Sequence, residues 1–123
     1  MKLEELEKVL ISKNSSIKEF PFDNKTMVFK VMNKMFALVS IEDSPLRINL
    51  KCLPEDALGY RDIYECVIAG YHMNKKHWNS VILDGTMKDE ILISMINESY
   101  ELVVSKLTKK DKALLLLNTK EIK

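Results

Sequence analysis

The sequence predicts an α+β fold, a two-layer sandwich whose antiparallel sheet of about five strands carries helices on one face. Three observations predict it. Over residues 46–51, Leu46, Ile48 and Leu50 alternate with Arg47, Asn49 and Lys51, the pattern of a strand with one buried and one wet face. Runs rich in β-branched and aromatic residues recur at 26–31, 34–41, 67–71 and 78–83, with short polar connections suited to hairpins. Apolar residues at helical spacing occupy 2–13 and 87–107, which marks amphipathic helices. The resulting order is α-βββ-α-ββ-α-α in one domain over 1–123.

The first helix buries Leu3, Leu6, Val9 and Leu10, with Glu4, Glu5 and Glu7 near its positive N-terminal end. Asn14-Ser15-Ser16 ends it, and Phe20-Pro21-Phe22 leads into a turn at Asp23-Asn24. Asn33-Lys34 joins the first two strands, since Asn accepts positive φ at modest cost. The third strand presents Arg47, Asn49 and Lys51 in a row on the wet face. Pro54-Glu55-Asp56 opens a helix over 54–65, with Leu53 as a weak cap. A loop at Met73–His77 joins the last two strands. Thr86 with Asp89, and Thr108 with Asp111, resemble capping boxes before helices 87–107 and 109–118. The longer helix turns Leu92, Met95, Ile96, Ser99, Leu102, Val103 and Leu107 inward. The run Leu114–Leu117 is too wide for one narrow stripe, so part of it packs on the domain or meets a partner.

Composition is that of a soluble globular protein, 46% hydrophobic and 30% charged. No apolar run approaches the ~20 residues that span a bilayer, and residues 1–20 lack a signal-peptide pattern. A cytoplasmic protein without membrane association is expected, with Cys52 and Cys66 as free thiols. Net charge is +1, but it is segregated. Segments 25–51, 67–80 and 102–123 are basic, whereas 52–66 and 81–101 are acidic. Such segregation gives a nearly neutral protein a sided potential where the basic parts converge.

Catalysis finds little support. There is no Gly-x-Ser-x-Gly elbow and no phosphate-cradling glycine motif among three glycines. Cys52, Cys66, His72 and His77 are metal-ligating types, but their spacing fits no zinc motif. Paired carboxylates such as Glu42/Asp43 and Asp89/Glu90 sit at turns and helix starts, where solvation and the helix dipole account for them. No enzyme, cofactor or metal site is expected. Met27, Met35 and Met95 are assigned to the core, and only Met73 lacks a packing explanation.

Binding remains. Tyr71-His72-Met73-Asn74-Lys75-Lys76-His77-Trp78-Asn79 gathers cations, planar rings and amides in nine residues. Rings stack on bases, ammonium groups neutralise phosphate and amides read base edges. The bland alternative is a polar loop with Trp78 in the core at its base. Lysines at strand edges and tips also guard against aggregation. On the binding reading, Lys34, Lys51, Lys75 and Lys76 contact phosphate. Arg47, Asn74, His77 and Trp78 approach sugar or base, and Asn49, Tyr71 and His72 complete the surface. Two other classes compete. One is a protein-interaction or chaperone-like module. The other is a small-molecule sensor, which needs a pocket between sheet and helices near Tyr71, His72 and Trp78.

Several motifs point to a family. Phe20-Pro21-Phe22, Val28-Phe29-Lys30-Val31, Lys34-Met35-Phe36-Ala37-Leu38 and Arg47-Ile48-Asn49-Leu50-Lys51-Cys52-x-Pro54 resemble the MmcQ/YjbR-like family. So do Gly70-Tyr71-His72-Met73-Asn74-Lys75-Lys76-His77-Trp78-Asn79 and Ser99-Tyr100-Glu101-Leu102-Val103 with Lys106-Leu107, in order over residues 15–112. The resemblance implies a CyaY-like, secretion-chaperone-like two-layer fold. It also implies a double-wing DNA-binding arrangement, with the 26–41 and 67–84 hairpins as wings. Fold alone does not fix function. This chain departs from the family pattern at Met32-Asn33, where a glycine-rich tip is usual, and at Leu53, where an acidic cap is usual.

Overall fold

The sheet contains one strand more than the sequence predicts. In the computed structural model, which describes the backbone of residues 1–122 and the side chains of residues 1–118, six strands pair in the order β1-β2-β3-β4-β6-β5, all neighbours antiparallel. In chain order the elements are α1 (Leu3–Ile11), β1 (Ser16–Glu19), β2 (Thr26–Val31), β3 (Lys34–Ser40), β4 (Arg47–Lys51), α2 (Pro54–Ile63), β5 (Val67–Ala69), β6 (Trp78–Ile82), α3 (Asp89–Ser105) and α4 (Lys109–Ile122). The extra strand is β1, which pairs Ser16–Glu19 with Val28–Val31 of β2. Ile17 is its single strong β-former, so its extended state comes from the partner edge rather than from propensity.

The helices cover one face. α1 packs on β1, α3 lies over β2, β3 and β4, and α2 covers β5 and β6. The core between the layers holds Leu6 and Leu10 of α1, Phe29 and Phe36 of the first hairpin, Ile48, Leu50 and Val81, and Leu92, Met95 and Ile96 of α3. A β-bulge lets Phe36 join it. Phe29 opposes Ala37 and Lys30 opposes Met35, so Phe36 is the extra residue. Both Phe36 and Ala37 are thereby fully buried, and the Phe36 ring meets Tyr100, with centroids 5.2 Å apart.

The opposite face is drier than the alternation predicts. Val28, Leu38 and Trp78 form a second buried cluster there, with Met35 and Met73 against it. Met35 is therefore assigned to the wrong face by the sequence, and Met73 has a packing role after all. Arg47 and Lys51 remain partly exposed, but Asn49 between them is buried. The cause is the 70–77 segment, which folds across this face instead of projecting from it.

Local expectations fare unevenly. The first hairpin turns on Met32 and Asn33, at φ 47° and 66°, and Lys34 already belongs to β3; two positive-φ residues are what a type I′ turn needs. The Thr108 cap is present, with the Asp111 N–H donating to Thr108 Oγ1 at 3.1 Å. The Thr86–Asp89 box is not. Thr86 instead donates its hydroxyl to Asp84 Oδ1 at 2.6 Å, and α3 starts after Lys88. Of the leucine run, Leu115 enters the core while Leu114, Leu116 and Leu117 stay exposed.

One hydroxyl fastens α3 to the sheet. Ser99 is fully buried; it donates to the Phe36 carbonyl at 2.6 Å and accepts from the Lys51 N–H at 2.8 Å. Ser99→Ala is expected to cost about 1–2 kcal/mol, because the Lys51 N–H loses its acceptor in a dry site. Urea unfolding should show a lower midpoint at unchanged slope. An unchanged midpoint would remove the fastening role.

Candidate nucleic-acid interface

Strand direction decides where the cations go. The first hairpin closes at Met32-Asn33 between β2 and β3. Because β3, β4 and β6 are successive antiparallel neighbours, the start of β3, the end of β4 and the start of β6 lie at one end of the sheet. Lys34 opens β3, Lys51 closes β4 opposite Trp78, and Lys75 and Lys76 immediately precede β6. The turn of the first hairpin and the 70–77 segment therefore share an end. One strand separates them, so β3 and β6 stand about 10 Å apart. Lys34, Lys75 and Lys76 are exposed and Lys51 partly so. None of the four is in an ion pair among the described residues, whereas Lys18 and Lys30 are tied to Glu7 and Glu19. The C-terminal cations Lys120 and Lys123 lie outside the described side chains.

The 70–77 segment is a fastened loop, not a free ribbon. The Asn74 carbonyl accepts from the Trp78 N–H at 3.0 Å and the His77 N–H at 3.2 Å, and Asn74 Oδ1 accepts from the Lys76 N–H at 2.9 Å. Asn74 thus spends its acceptor on the turn and keeps only its NH₂ group outward. Arg61 of α2 donates to the Lys75 carbonyl and, through Nε, to Asn79 Oδ1 at 2.6 Å. At the other end of the loop, the Tyr71 N–H donates to Ser80 Oγ at 2.9 Å and Asn49 Nδ2 donates to the Tyr71 carbonyl at 3.1 Å. Gly70 permits this closure, because a Cβ there would lie 2.7 Å from Trp78 Cβ and 2.8 Å from the Trp78 carbonyl oxygen.

The structure divides the residues singled out from sequence. Lys34, Lys51, Asn74, Lys75, Lys76 and the half-buried His77 gather at the cationic end. Arg47 lies at the far end of β4, opposite Ser40 and Ile82. Tyr71 and His72 fold back toward it across the outer face, with Arg47 4.4 Å from the centre of the Tyr71 ring. Trp78 and Asn49 are 8% and 9% exposed. The Trp78 ring is committed to the second apolar cluster, and the Asn49 amide bonds Tyr71 and Ser80. Neither reaches an external base without breaking those contacts. Arg61 and Asn79, which hold the loop, are not among the contact residues read from the sequence, although Asn79 closes the stretch that drew attention.

Beside α2, on the helix side, the exposed charges are acidic. Asp56, Glu98 and Glu101 line a groove with Leu53. Asp56 and Glu98 lie close to the buried Cys52 thiol, which burial, followed by those carboxylates, pushes up to about 11. Cys52 and Cys66 precede and follow α2, about 15 Å of helix apart, too far for a disulfide. The unfolded chain ionises Cys52 first, near the ordinary 9.0, so stability is expected to fall as pH climbs from 9 toward 11. Cys52→Ala should flatten the lower part of that window in thermal melts. Tyr60, pushed up to about 12 chiefly by burial, adds a fall above 10.

The YjbR family model matches residues 11–102, most of the chain. This chain belongs to the YjbR family. The Escherichia coli O157:H7 protein YbdF is 41% identical over 92 residues, covering 75% of each chain. The Escherichia coli K12 protein YjbR is 29% identical over 94% of this chain and 98% of its own. Among solved structures, Deinococcus radiodurans protein DR2400, with family-model domain DUF419, superposes with a TM-score of 0.87 at 40% identity, over 93% of this YjbR-family chain and 87% of its own. No helix among the described residues is long and apolar enough to cross a membrane.

Proposed function

We propose that this protein binds DNA, without catalysis, through the cationic end of its sheet. One observation carries the reading: strand order gathers Lys34, Lys51, Lys75 and Lys76, none of them in an ion pair among the described residues, on adjacent strand ends. Ammonium groups so placed displace condensed counterions from a phosphate backbone. Their span of roughly 10 Å is below the ~12 Å width of a major groove. The end therefore lies along one phosphate strand, with the 70–77 loop at the groove edge, rather than straddling a duplex on two splayed wings. Asp56, Glu98 and Glu101 repel phosphate from the helix side and so fix which flank faces the polyanion.

Fluorescence anisotropy with a labelled duplex and the matching single strand, titrated at several salt concentrations, tests it. The expected result is binding that weakens steeply with salt, by a slope of about −3.6 on the duplex and about −2.8 on the single strand if four phosphates are neutralised. Absence of binding at roughly 50 mM salt overturns it. A protein-docking role is the second reading, favoured by exposed Leu114, Leu116 and Leu117 beside the buried Leu115. Size exclusion showing a tight dimer, together with no DNA binding, would support that reading instead.

A further inference from the structure

Two surfaces of this chain fit each other but do not meet within it. The first is the outward side of α4. Leu115 enters the core, so the stripe opposite it, Lys110, Ala113, Leu114 and Leu117, faces solvent. Its spacing of i, i+3, i+4 and i+7 is that by which an amphipathic helix anchors in a groove. Lys109, Lys110 and Lys112 open the helix against Asp111, and none of the three lysines is in an ion pair among the described residues. Cations in a first turn oppose the positive end of the helix, so carboxylates placed beside them would stabilise α4.

The second surface is a trough between α2 and α3, made of two hollows of about 260 and 240 Å³ that share Asp56 and Glu98. Leu53 and Leu102 form its apolar wall at one end and Ile63 at the other. Its carboxylates, Glu55, Asp56, Glu98 and Glu101, are in no ion pair among the described residues. Asp56 and Glu98 bring oxygen atoms within 4.8 Å of each other, a like-charge contact that a nearby cation relieves. Gly59 also lines the trough. It sits inside α2 without a positive φ, where glycine costs about 1 kcal/mol against alanine, and a Cβ there would meet nothing within 4 Å. Packing within the chain gives no reason for a bare backbone at this position, whereas the close approach of another helix does.

The chain cannot fill the trough with its own α4. Asn14 Nδ2 donates to the Leu115 carbonyl at 3.0 Å and Asn118 Nδ2 donates to Ser15 Oγ at 2.7 Å, which fasten α4 beyond the end of α1. Tyr100 of α3 donates its hydroxyl to the Asn14 carbonyl at 2.6 Å, while Glu98, Glu101 and Leu102 line the trough, so α4 and the trough adjoin different faces of α3. We infer that two copies of this chain dimerise by exchanging these surfaces. The Lys110–Leu117 stripe of each lies in the α2–α3 trough of the other, its leucines against Leu53 and Leu102 and its lysines against Asp56, Glu98 and Glu101. Because both copies use the same two patches, the contact is isologous and closes as a dimer. Two docked helices also double an area that one short helix would leave below that of a stable interface. The contact uses none of the sheet-end lysines, so it stands apart from DNA binding.

Sedimentation velocity of the full chain without DNA, from about 1 to 300 µM, is the test. The expected result is a monomer–dimer equilibrium with a Kd of about 1–50 µM at roughly 50 mM salt, weakened about tenfold by roughly 500 mM. Lys109→Glu with Lys110→Glu gives α4 the charge of the trough, and Glu98→Lys with Glu101→Lys gives the trough the charge of α4. Each double variant alone should stay monomeric. Mixed equally, they should form a heterodimer about as tight as the original, because both exchanged contacts are then opposite in sign. Gly59→Leu crowds the trough from a position whose Cβ meets nothing in the single chain. It should keep its circular dichroism spectrum and dimerise at least about tenfold more weakly, and it carries the test should the charge-reversed trough not fold. A monomer throughout the range, no association between the folded double variants when mixed, undiminished dimerisation of Gly59→Leu, or growth past the dimer would each overturn the inference.

Discussion

Removing the Lys75 and Lys76 ammonium groups together, by Lys75→Ala and Lys76→Ala, is expected to lower DNA affinity by about tenfold to a hundredfold at roughly 50 mM salt and to reduce the salt slope by almost two. Both side chains are exposed and outside any ion pair among the described residues. Lys75 Nζ makes only a 3.3 Å bond to the Gly70 carbonyl. The turn that presents them is built from the Asn74 carbonyl, Asn74 Oδ1 and the Arg61 guanidinium, so alanine at 75 and 76 leaves it standing. An affinity loss therefore reports lost phosphate neutralisation, not a lost loop. Lys18→Ala with Lys30→Ala is the charge-matched control. Those lysines are engaged by Glu7 and Glu19 and lie on β1 and β2, so the expected change is small. Equal losses in the two double variants would mean that net charge alone matters. No loss at 75 and 76 would end the assignment.

The elements that the sequence disclosed are those whose own residues pay for their conformation. β4 is legible because Ile48 and Leu50 alternate with polar residues, and α3 because Leu92, Met95, Ile96, Ser99 and Val103 repeat at helical spacing into the core. β1 was not legible, because Ser16, Lys18 and Glu19 are extended only through their pairing with β2. The outer face was misjudged for a related reason. Alternation tells which side chains share a face, but not whether a distant loop covers that face. Here Tyr71 and Met73 do so, fastened through Asn49 and Ser80.

The same distinction runs through the candidate site. Lysines at the two connections were visible as a composition, and the antiparallel pattern placed both on hairpins. Their convergence on one end depends on β6 pairing with β4 rather than with β5 alone, a long-range choice that no local motif encodes. The residues that hold the loop were harder still. Arg61 reads as an ordinary charge on an acidic helix, and Asn79 as one more amide in a polar stretch. Asn79 sits between Trp78 and Ser80, and its register opposite Leu50 sends it to the helix side. An inward-facing amide in a strand is a signal that a buried polar partner is needed, and it is the one clue the sequence offered.

Asn79→Leu is expected to cost about 2–3 kcal/mol, more than any other exchange argued above, because it leaves a charged donor without its acceptor. Asn79 is fully buried; its Nδ2 donates to the Ala57 carbonyl at 3.1 Å and its Oδ1 takes the Arg61 Nε–H at 2.6 Å. The Ala57 carbonyl keeps its place in the α2 ladder, so its loss is slight. Arg61, partly buried, has no such reserve, and through Nη2 it also holds the Lys75 carbonyl. Leucine has the amide's branched shape and is slightly larger, so the exchange leaves no cavity and the cost lies chiefly in the stranded charge. In an Arg61→Ala background the same exchange should cost far less, since the stranded charge is gone; equal cost in both backgrounds would refute the coupling. The loop then becomes the second readout. With Arg61 displaced, the Lys75 carbonyl loses its restraint, and amide exchange across 74–77 should quicken more than exchange in α3. DNA affinity should fall with it although no lysine has changed, because the four ammonium groups act together only while the loop holds two of them beside Lys51.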